Sequence, residues 1–198
     1  GSVHVSDGSA VTFASGKGIT AGTDSEVYVY ANATVNLNGA WLANGEDWFN
    51  YGTVNLTHTW WADVQNSEFN NYAGAVLNSS LGVLVTGGPS YVSSGNNAVM
   101  NNSGSITGYA LQARWGGVIN NNCTVDVTSH VGSIQNGVIN NNAAIYSDGE
   151  IVFGAPGVHS GASSWNLSDG SIVMGDYLSF EDVTRTGRLS GRAVIKSL

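Results

Sequence analysis

The sequence predicts an all-β fold, a right-handed parallel β-helix built from coils of about twenty residues. Three observations predict it: a short unit that recurs at a nearly constant interval, turn-forming Asn and Gly between the strands, and a scarcity of charged helix formers. The 198 residues include 27 Gly but only 2 Pro, 6 basic and 14 acidic residues. No stretch shows the 3.6-residue periodicity of a helix. A β-sandwich or jelly roll is the alternative, since it also has many short strands.

The repeat is clearest in the second half of the chain. The run VINNNCTV beginning at Val118 recurs as VINNNAAI beginning at Val138, so Ile119 and Ile139 hold the same position in successive copies. Upstream, VMNNSGSI has the same form and carries Met100 at that position. Weaker copies place the following residues at the position of Ile119: Val5, Val29, Phe49, Phe69 and Trp165.

The pattern has a direct physical interpretation. Each unit supplies an apolar residue, a turn of Asn, Gly, Ser or Asp, and a short strand ending in Val or Ile, and one such coil is too small to bury its own side chains. Coils therefore stack about 4.8 Å apart and share one core, with Asn at the same corner of adjacent coils forming a ladder of amide hydrogen bonds. Residues 3–175 are expected to form about eight coils.

Two segments depart from the repeat. The interval from Phe69 to Met100 is about one and a half times the usual one, which predicts an insertion near 80–97. Residues 176–198 break the pattern. Since the end of a β-helix exposes unpaired strand edges, we expect this segment to be a C-terminal cap or an oligomerisation strand in a homotrimer.

Composition and motifs exclude several classes of function. The net charge of −8 argues against a nucleic-acid partner, and no apolar run is long enough for membrane insertion. The four His residues show no metal-ligand spacing, and no cofactor motif is present, so we expect neither metal nor cofactor. Cys123, the single cysteine, is expected to be a small buried apolar residue.

A catalytic site is only weakly indicated. Glycan hydrolysis needs paired carboxylates, and Asp47 and Asp63 fall at similar positions in neighbouring coils. They are not in the same phase of the repeat and need not share a face. Solvated turn carboxylates are the simpler interpretation.

Aromatic residues indicate a binding surface more strongly. Exposed Trp and Tyr beside Asn, Asp and His are a common way to grip sugars, because the ring face stacks on the sugar while polar neighbours bond its hydroxyls. In the pair Trp60-Trp61 one side chain should face the core and the other the surface. Filling of the core is the alternative for each of these residues. The candidate ligand-binding residues are Trp41, Trp48, Tyr51, Trp60, Trp61, Tyr72 and Trp115.

The repeated N-N-x-G-x-I/V unit resembles the coils of pectin-lyase-like β-helices, as found in bacterial autotransporter adhesins and in phage tailspike and tail-fibre proteins. The resemblance covers roughly residues 3–175. It implies an extracellular protein, on a virion tail or a bacterial surface, that binds a cell-surface glycan or envelope component. A tailspike-type enzyme that depolymerises polysaccharide and a structural spacer are the two alternatives.

Overall fold

The computed structural model shows a parallel β-solenoid. It describes residues 1–15, 17, 19, 24–38, 41–57, 62–65, 67–86, 98–153, 163–179, 188–191 and 194–197. Within these residues the secondary structure consists of strands and turns, with no helix. The predicted all-β solenoid is therefore confirmed, and a sandwich is excluded because every strand pair is parallel.

The described residues contain 21 strands. In chain order they are β1 (Ser2–Val5), β2 (Ala10–Thr12), β3 (Ser25–Val29), β4 (Thr34–Leu37), β5 (Trp41–Asn44), β6 (Glu46–Asn50), β7 (Thr53–Leu56), β8 (Ala62–Gln65), β9 (Glu68–Asn71), β10 (Val76–Ser79), β11 (Val83–Thr86), β12 (Val99–Asn102), β13 (Ser105–Arg114), β14 (Val118–Asn121), β15 (Val125–Ile134), β16 (Val138–Asn141), β17 (Ala144–Phe153), β18 (Ser164–Leu167), β19 (Ile172–Ser179), β20 (Arg188–Gly191) and β21 (Val194–Ser197).

These strands form three faces that run along the solenoid axis. Face A is a nine-stranded sheet in the order β1-β3-β6-β9-β12-β14-β16-β18-β20. Face B stacks β2, β4, β7 and β10 on the first part of β13 and continues through β15, β17, β19 and β21. Face C stacks β5, β8 and β11 on the last part of β13. The long strands turn the corner between faces B and C at an irregularity, which in β13 lies between Gly108 and Ala110.

The register confirms the repeat where it is strongest and corrects it elsewhere. Ile119 pairs with both Met100 and Ile139, as predicted. Phe49, however, is one position out of phase, because Trp48 is the residue that pairs with Phe69. Val5 and Val29 are two positions out of phase, because Val29 pairs with Asn50 and Val27 is the residue that pairs with Trp48. The sequence could not separate the two adjacent aromatic residues, and the structure buries Trp48 completely while leaving Phe49 partly exposed.

The two irregular segments are partly described. Within the predicted insertion, Val83–Thr86 is the regular strand β11 of face C, and residues 87–97 lie outside the described residues. In the C-terminal segment, β20 pairs with β18 and β21 pairs with β19, so both strands extend the parallel stack. A role for this segment in capping or oligomerisation stays a prediction. No helix long and apolar enough to cross a membrane occurs in the described part of the chain.

The core is continuous because the inward side chains of successive coils lie above one another. Strands of face A alternate partly exposed and buried residues, as a one-sided sheet requires. One inward row on this face is apolar, and its most deeply buried members are Val27, Trp48, Phe69, Met100, Ile119, Ile139 and Trp165. The row beside it is mostly polar.

That polar row is a buried ladder of asparagines, which we call the inner ladder. It consists of Asn50, Asn71, Asn102, Asn121 and Asn141, each at most 1% exposed. Each of the first four donates from Nδ2 to Oδ1 of the next at 2.8 Å. Several amides also bond the backbone: Asn71 Nδ2 donates to the Ser105 carbonyl at 3.1 Å, and Asn50 Oδ1 accepts the Gly52 amide at 3.1 Å. The backbone contacts fix the orientation of the side-chain amides.

Two further ladders lie on the outside of the solenoid. Outer ladder A, on face A, runs through Asn70, Asn101, Asn120, Asn140 and Asn166. Outer ladder B, on face B, runs through Thr12, Asn36, Asn55, Asn78 and Thr107. In both outer ladders each side chain donates towards the preceding coil, whereas the inner ladder donates towards the following one. Asn ladders therefore form within strands as well as at the corner, where Asn122, Asn142 and Ser168 are linked.

The turn after the inner ladder demands glycine at two places. A Cβ on Gly104 would lie 2.3 Å from the Ala75 carbonyl oxygen and 2.8 Å from Nδ2 of Asn71. Two coils earlier, Gly52 meets the equivalent carbonyl oxygens, those of Ala33 and Tyr30, both at 2.4 Å. These glycines let adjacent turns approach closely enough for the buried amides to reach the backbone.

Candidate functional site

The N-terminal coils of face A carry three outward rows of aromatic and acidic side chains. We call this surface the aromatic–acidic patch. In the centre His4, Tyr28 and Phe49 share one position of the register. Glu26, Asp47 and Glu68 form the row on one side, and Tyr30, Tyr51 and Tyr72 form the row at the corner towards face B. The central row continues as outer ladder A, because Asn70 pairs with Phe49.

The central rings stack on one another along the solenoid axis. The centroids of His4 and Tyr28 are 4.9 Å apart with planes 2° from parallel, and those of Tyr28 and Phe49 are 4.8 Å apart. At the corner Tyr51 and Tyr72 stack at 4.2 Å. These distances are close to the rise of one coil, so the solenoid itself sets the stacking.

The stacking decides which part of each ring a ligand can reach. A ring whose two neighbours lie above and below it at van der Waals distance presents its edge, and only the terminal rings of a row have a free face. Face-on stacking of sugars, the mode expected from the sequence, is therefore closed between Tyr51 and Tyr72. The patch offers hydroxyl groups and ring edges instead.

The hydroxyls of Tyr28 and Tyr72 remain neutral hydrogen-bonding groups at physiological pH. Desolvation, followed by the charge and hydrogen bond of Glu26, raises the pKa of Tyr28 above its ordinary value of 10.0. Desolvation and a hydrogen bond to Tyr51 likewise raise the pKa of Tyr72. Tyr30 and Tyr51 are 39% and 40% exposed, and their hydroxyls bond within the patch: Tyr30 Oη lies 3.0 Å from Nδ1 of His4, and Tyr51 bonds Tyr72.

The carboxylates beside the rings are partly engaged by the protein. Asp47 Oδ1 accepts the backbone amide of Glu68 at 2.8 Å, and Glu68 Oε1 accepts Nδ2 of Asn101. Three negative charges on neighbouring coils make this surface electronegative, which favours ligands that donate hydrogen bonds and disfavours anionic ones.

The seven aromatic residues predicted to bind a ligand fall in different places. Tyr51 and Tyr72 lie together in the patch. Trp48 is fully buried in the core, so its expected exposure to a ligand is wrong. Trp115 lies on another part of the surface, half-buried, with the Arg114 guanidinium 4.7 Å above its ring. Trp41 is in β5 of face C with its side chain outside the described part of the structure, and Trp60 and Trp61 also fall outside it.

The two weak catalytic candidates do not come together. Asp47 belongs to β6 on face A, whereas Asp63 pairs with Trp41 and Leu84 on face C. A shared paired-carboxylate mechanism therefore has no geometric basis for these two residues. Among the described residues, no group of three or more His, Cys, Asp and Glu could hold a metal ion. Cys123 is partly exposed, which corrects its expected burial.

Sequence reasoning missed four of the six aromatic members of the patch: His4, Tyr28, Tyr30 and Phe49. The signal was present, because inward and outward side chains alternate along a strand. These four residues fall at the outward positions, between residues that face the core. The coils here differ in length, however, so the sequence interval from Val3 to Val27 is longer than that from Val27 to Trp48, although both are paired positions. Comparison with protein-family models, with curated proteins and with solved structures yields no match for the chain.

Proposed function

We propose that this protein is a non-catalytic surface-binding module that recognises a cell-surface glycan through the aromatic–acidic patch. The observation that carries the proposal is the tyrosine row at the corner of face A, which is at least partly exposed to solvent. Across the central rings it faces a row of carboxylates that is also at least partly exposed. Tyrosine hydroxyls both donate and accept hydrogen bonds, and a carboxylate can accept two bonds from neighbouring sugar hydroxyls. An uncharged or amino-bearing glycan suits this surface best, because an anionic one would meet Glu26, Asp47 and Glu68.

The rigid spacing supports the same proposal. Stacked rings and paired strands hold the polar groups at intervals of about 4.8 Å along the axis, so little side-chain entropy remains to be lost on binding. The resemblance of the coils to adhesin and tail-fibre repeats favours an extracellular setting on a virion or a bacterial surface. An assembly as a homotrimer belongs to the same proposal.

The test is binding of the purified chain to a glycan array and to whole bacterial cells, followed by variants. Tyr51→Ala should weaken binding at least about tenfold, equivalent to about 1.4 kcal/mol. Tyr51→Phe keeps the stack on Tyr72 but removes the hydroxyl, so a comparable loss assigns the effect to hydrogen bonding. Asp47→Asn keeps an oxygen for the Glu68 amide and removes the charge.

The matched control is Tyr109, which is 43% exposed and lies in β13, outside the patch. Tyr109→Ala should bind as the parent protein does. Equal losses for Tyr109→Ala and Tyr51→Ala would assign recognition elsewhere. A parent chain that binds nothing across the array and the cells is the result expected of a structural spacer, and it would overturn the proposal.

A further inference from the structure

A second candidate site lies on face B near the C-terminal ends of its strands, next to the corner with face C. A cleft of about 430 Å³ opens there across four successive coils. This volume is within the range of small-molecule sites, about 300–1,000 Å³. Its main polar lining consists of Asn36, Asn55, Thr57, Asn78, Ser80 and Thr107.

The asparagines of this lining are only half used by the protein. Asn55 Nδ2 donates to Asn36 Oδ1, and Asn78 Nδ2 donates to Asn55 Oδ1, both at 2.8 Å. A side-chain amide has two N–H donors and two carbonyl lone pairs, so each of these residues keeps one donor and one acceptor after its ladder bonds are made. In the inner ladder, by contrast, the second N–H of the Asn71 amide donates to the Ser105 carbonyl.

The lining is also uncharged. None of the described residues that border the cleft carries a formal charge, and the polar side chains that border it are amides and hydroxyls, whereas Leu56 is buried in the core. The first charged residue of the row is Asp126, which pairs with Thr107 in the next coil. A ligand that offers many neutral donor–acceptor groups at regular intervals is the complement of such a row.

We propose that this cleft binds a neutral β-linked oligosaccharide lying along the solenoid axis. Extended β-linked chains advance by roughly one coil rise per sugar, so each sugar meets one amide of outer ladder B. From Asn36 to Thr107 the row spans about 14 Å, which accommodates about three sugars. The cleft is separate from the aromatic–acidic patch, and the inference does not depend on binding there.

The experiment is calorimetric titration of the full chain with neutral β-linked gluco-oligosaccharides of increasing length. Affinity should rise with length and level off at about three or four sugars, when the row is filled. Asn55→Ala should weaken binding of the longest oligosaccharide at least about tenfold, because it removes hydrogen bonds at the centre of the row.

Asn120→Ala is the matched control. Asn120 occupies the centre of outer ladder A, donating to Asn101 at 2.8 Å and accepting from Asn140 at 2.7 Å, so both variants lose equivalent bonds within the protein. The two should unfold at similar temperatures, while Asn120→Ala binds as the parent does. Tyr51→Ala should also leave this binding unchanged, which separates the cleft from the patch.

Three results would overturn the inference. The first is a parent chain that shows no saturable binding to any of the oligosaccharides. The second is an Asn55→Ala variant that binds as tightly as the parent, and the third is an equal loss in Asn120→Ala. If the parent binds cells and loses that binding in Tyr51→Ala, but binds no neutral oligosaccharide, the cleft is rejected as a site while the proposed function at the patch is retained.

Discussion

Asn70 and Asn71 are neighbours in one strand, yet their side chains have different roles. Asn71 points inward, is 1% exposed, and bonds both the next amide and a backbone carbonyl. Asn70 points outward and is partly exposed, and it accepts a bond from Asn101. The same residue type in the same stacking geometry therefore serves stability on one side of the sheet and presents hydrogen-bonding groups on the other.

The comparison shows that a ladder of amides is not by itself a measure of stability. A buried amide that loses its partner costs the full desolvation penalty, whereas an outward amide exchanges its partner for water. The inner ladder should therefore tolerate substitution much less well than the outer ones. Three experiments can break or sharpen this distinction, and a fourth tests the effect of burial on a histidine of face C.

The largest effect is expected at the centre of the inner ladder. Asn102→Ala removes the bonds to Asn71 and Asn121 and leaves both of those buried amides short of a partner. We expect a loss of about 3 kcal/mol in the free energy of unfolding, measured by chemical denaturation. Its neighbour Asn101→Ala, on the outside, should cost less than about 1 kcal/mol. Equal costs would remove the distinction between the ladders.

The next effect concerns the glycine that lets the turn approach the inner ladder. Gly104→Ala places a Cβ against the carbonyl of Ala75 and close to Asn71, and should cost about 2 kcal/mol or more. Gly116→Ala meets no atom within 4 Å but has a φ of +84°, so only backbone strain of about 1 kcal/mol is expected. Thermal unfolding of both variants decides the order. If Gly104→Ala lowers the unfolding temperature less than Gly116→Ala does, the turn can relax to accept the methyl group.

A buried asparagine should be tolerated better where a ladder can receive it. Val29 and Val35 are both fully buried, but Val29 pairs with Asn50 at the head of the inner ladder, whereas Val35 lies between Val11 and Val54. Val29→Asn should be less destabilising than Val35→Asn by about 1.5 kcal/mol, since only the former gains an amide partner. Denaturation midpoints of the two variants test this, and the reverse order would contradict it.

The smallest effect is a pH dependence on face C. Burial lowers the pKa of His130 from its ordinary 6.5, although Glu150 on the next coil opposes the shift. The unfolded chain then binds the proton more readily than the folded one, so this stabilisation is complete above about pH 6.5 and declines as the pH falls through that value. His130→Gln should show a shallower fall in melting temperature between about pH 7.5 and about pH 5 than the parent. An unchanged slope would assign the pH dependence to other groups.

The sequence predicts the fold well because the strongest copies of the repeat show both the length of a coil and which of its residues face the core. In VINNN the apolar Ile119 must face inward, and alternation then places Asn121 inward and Asn120 outward. The expectation of Asn at the corners missed this consequence, although it could have been drawn from the same residues.

The candidate site was harder to predict because it lies where the repeat is weakest. Trp48 and Phe49 are adjacent, both aromatic and both acceptable in a core, so nothing local decides which one is inward. Only the pairing of Trp48 with Val27 and Phe69 settles the phase. The cleft on face B depends on the corner geometry at Gly108, which a linear pattern does not encode.

The direction of hydrogen-bond donation in the ladders has an electrostatic consequence. Amides of the inner ladder donate towards higher-numbered coils, and those of both outer ladders donate towards lower-numbered ones. Each row is a line of aligned amide dipoles, as in a helix, and rows of opposite sense oppose each other's field. At each end of the stack, the inner ladder therefore presents a partial charge opposite in sign to that of the outer ladders, which lowers the net partial charge there.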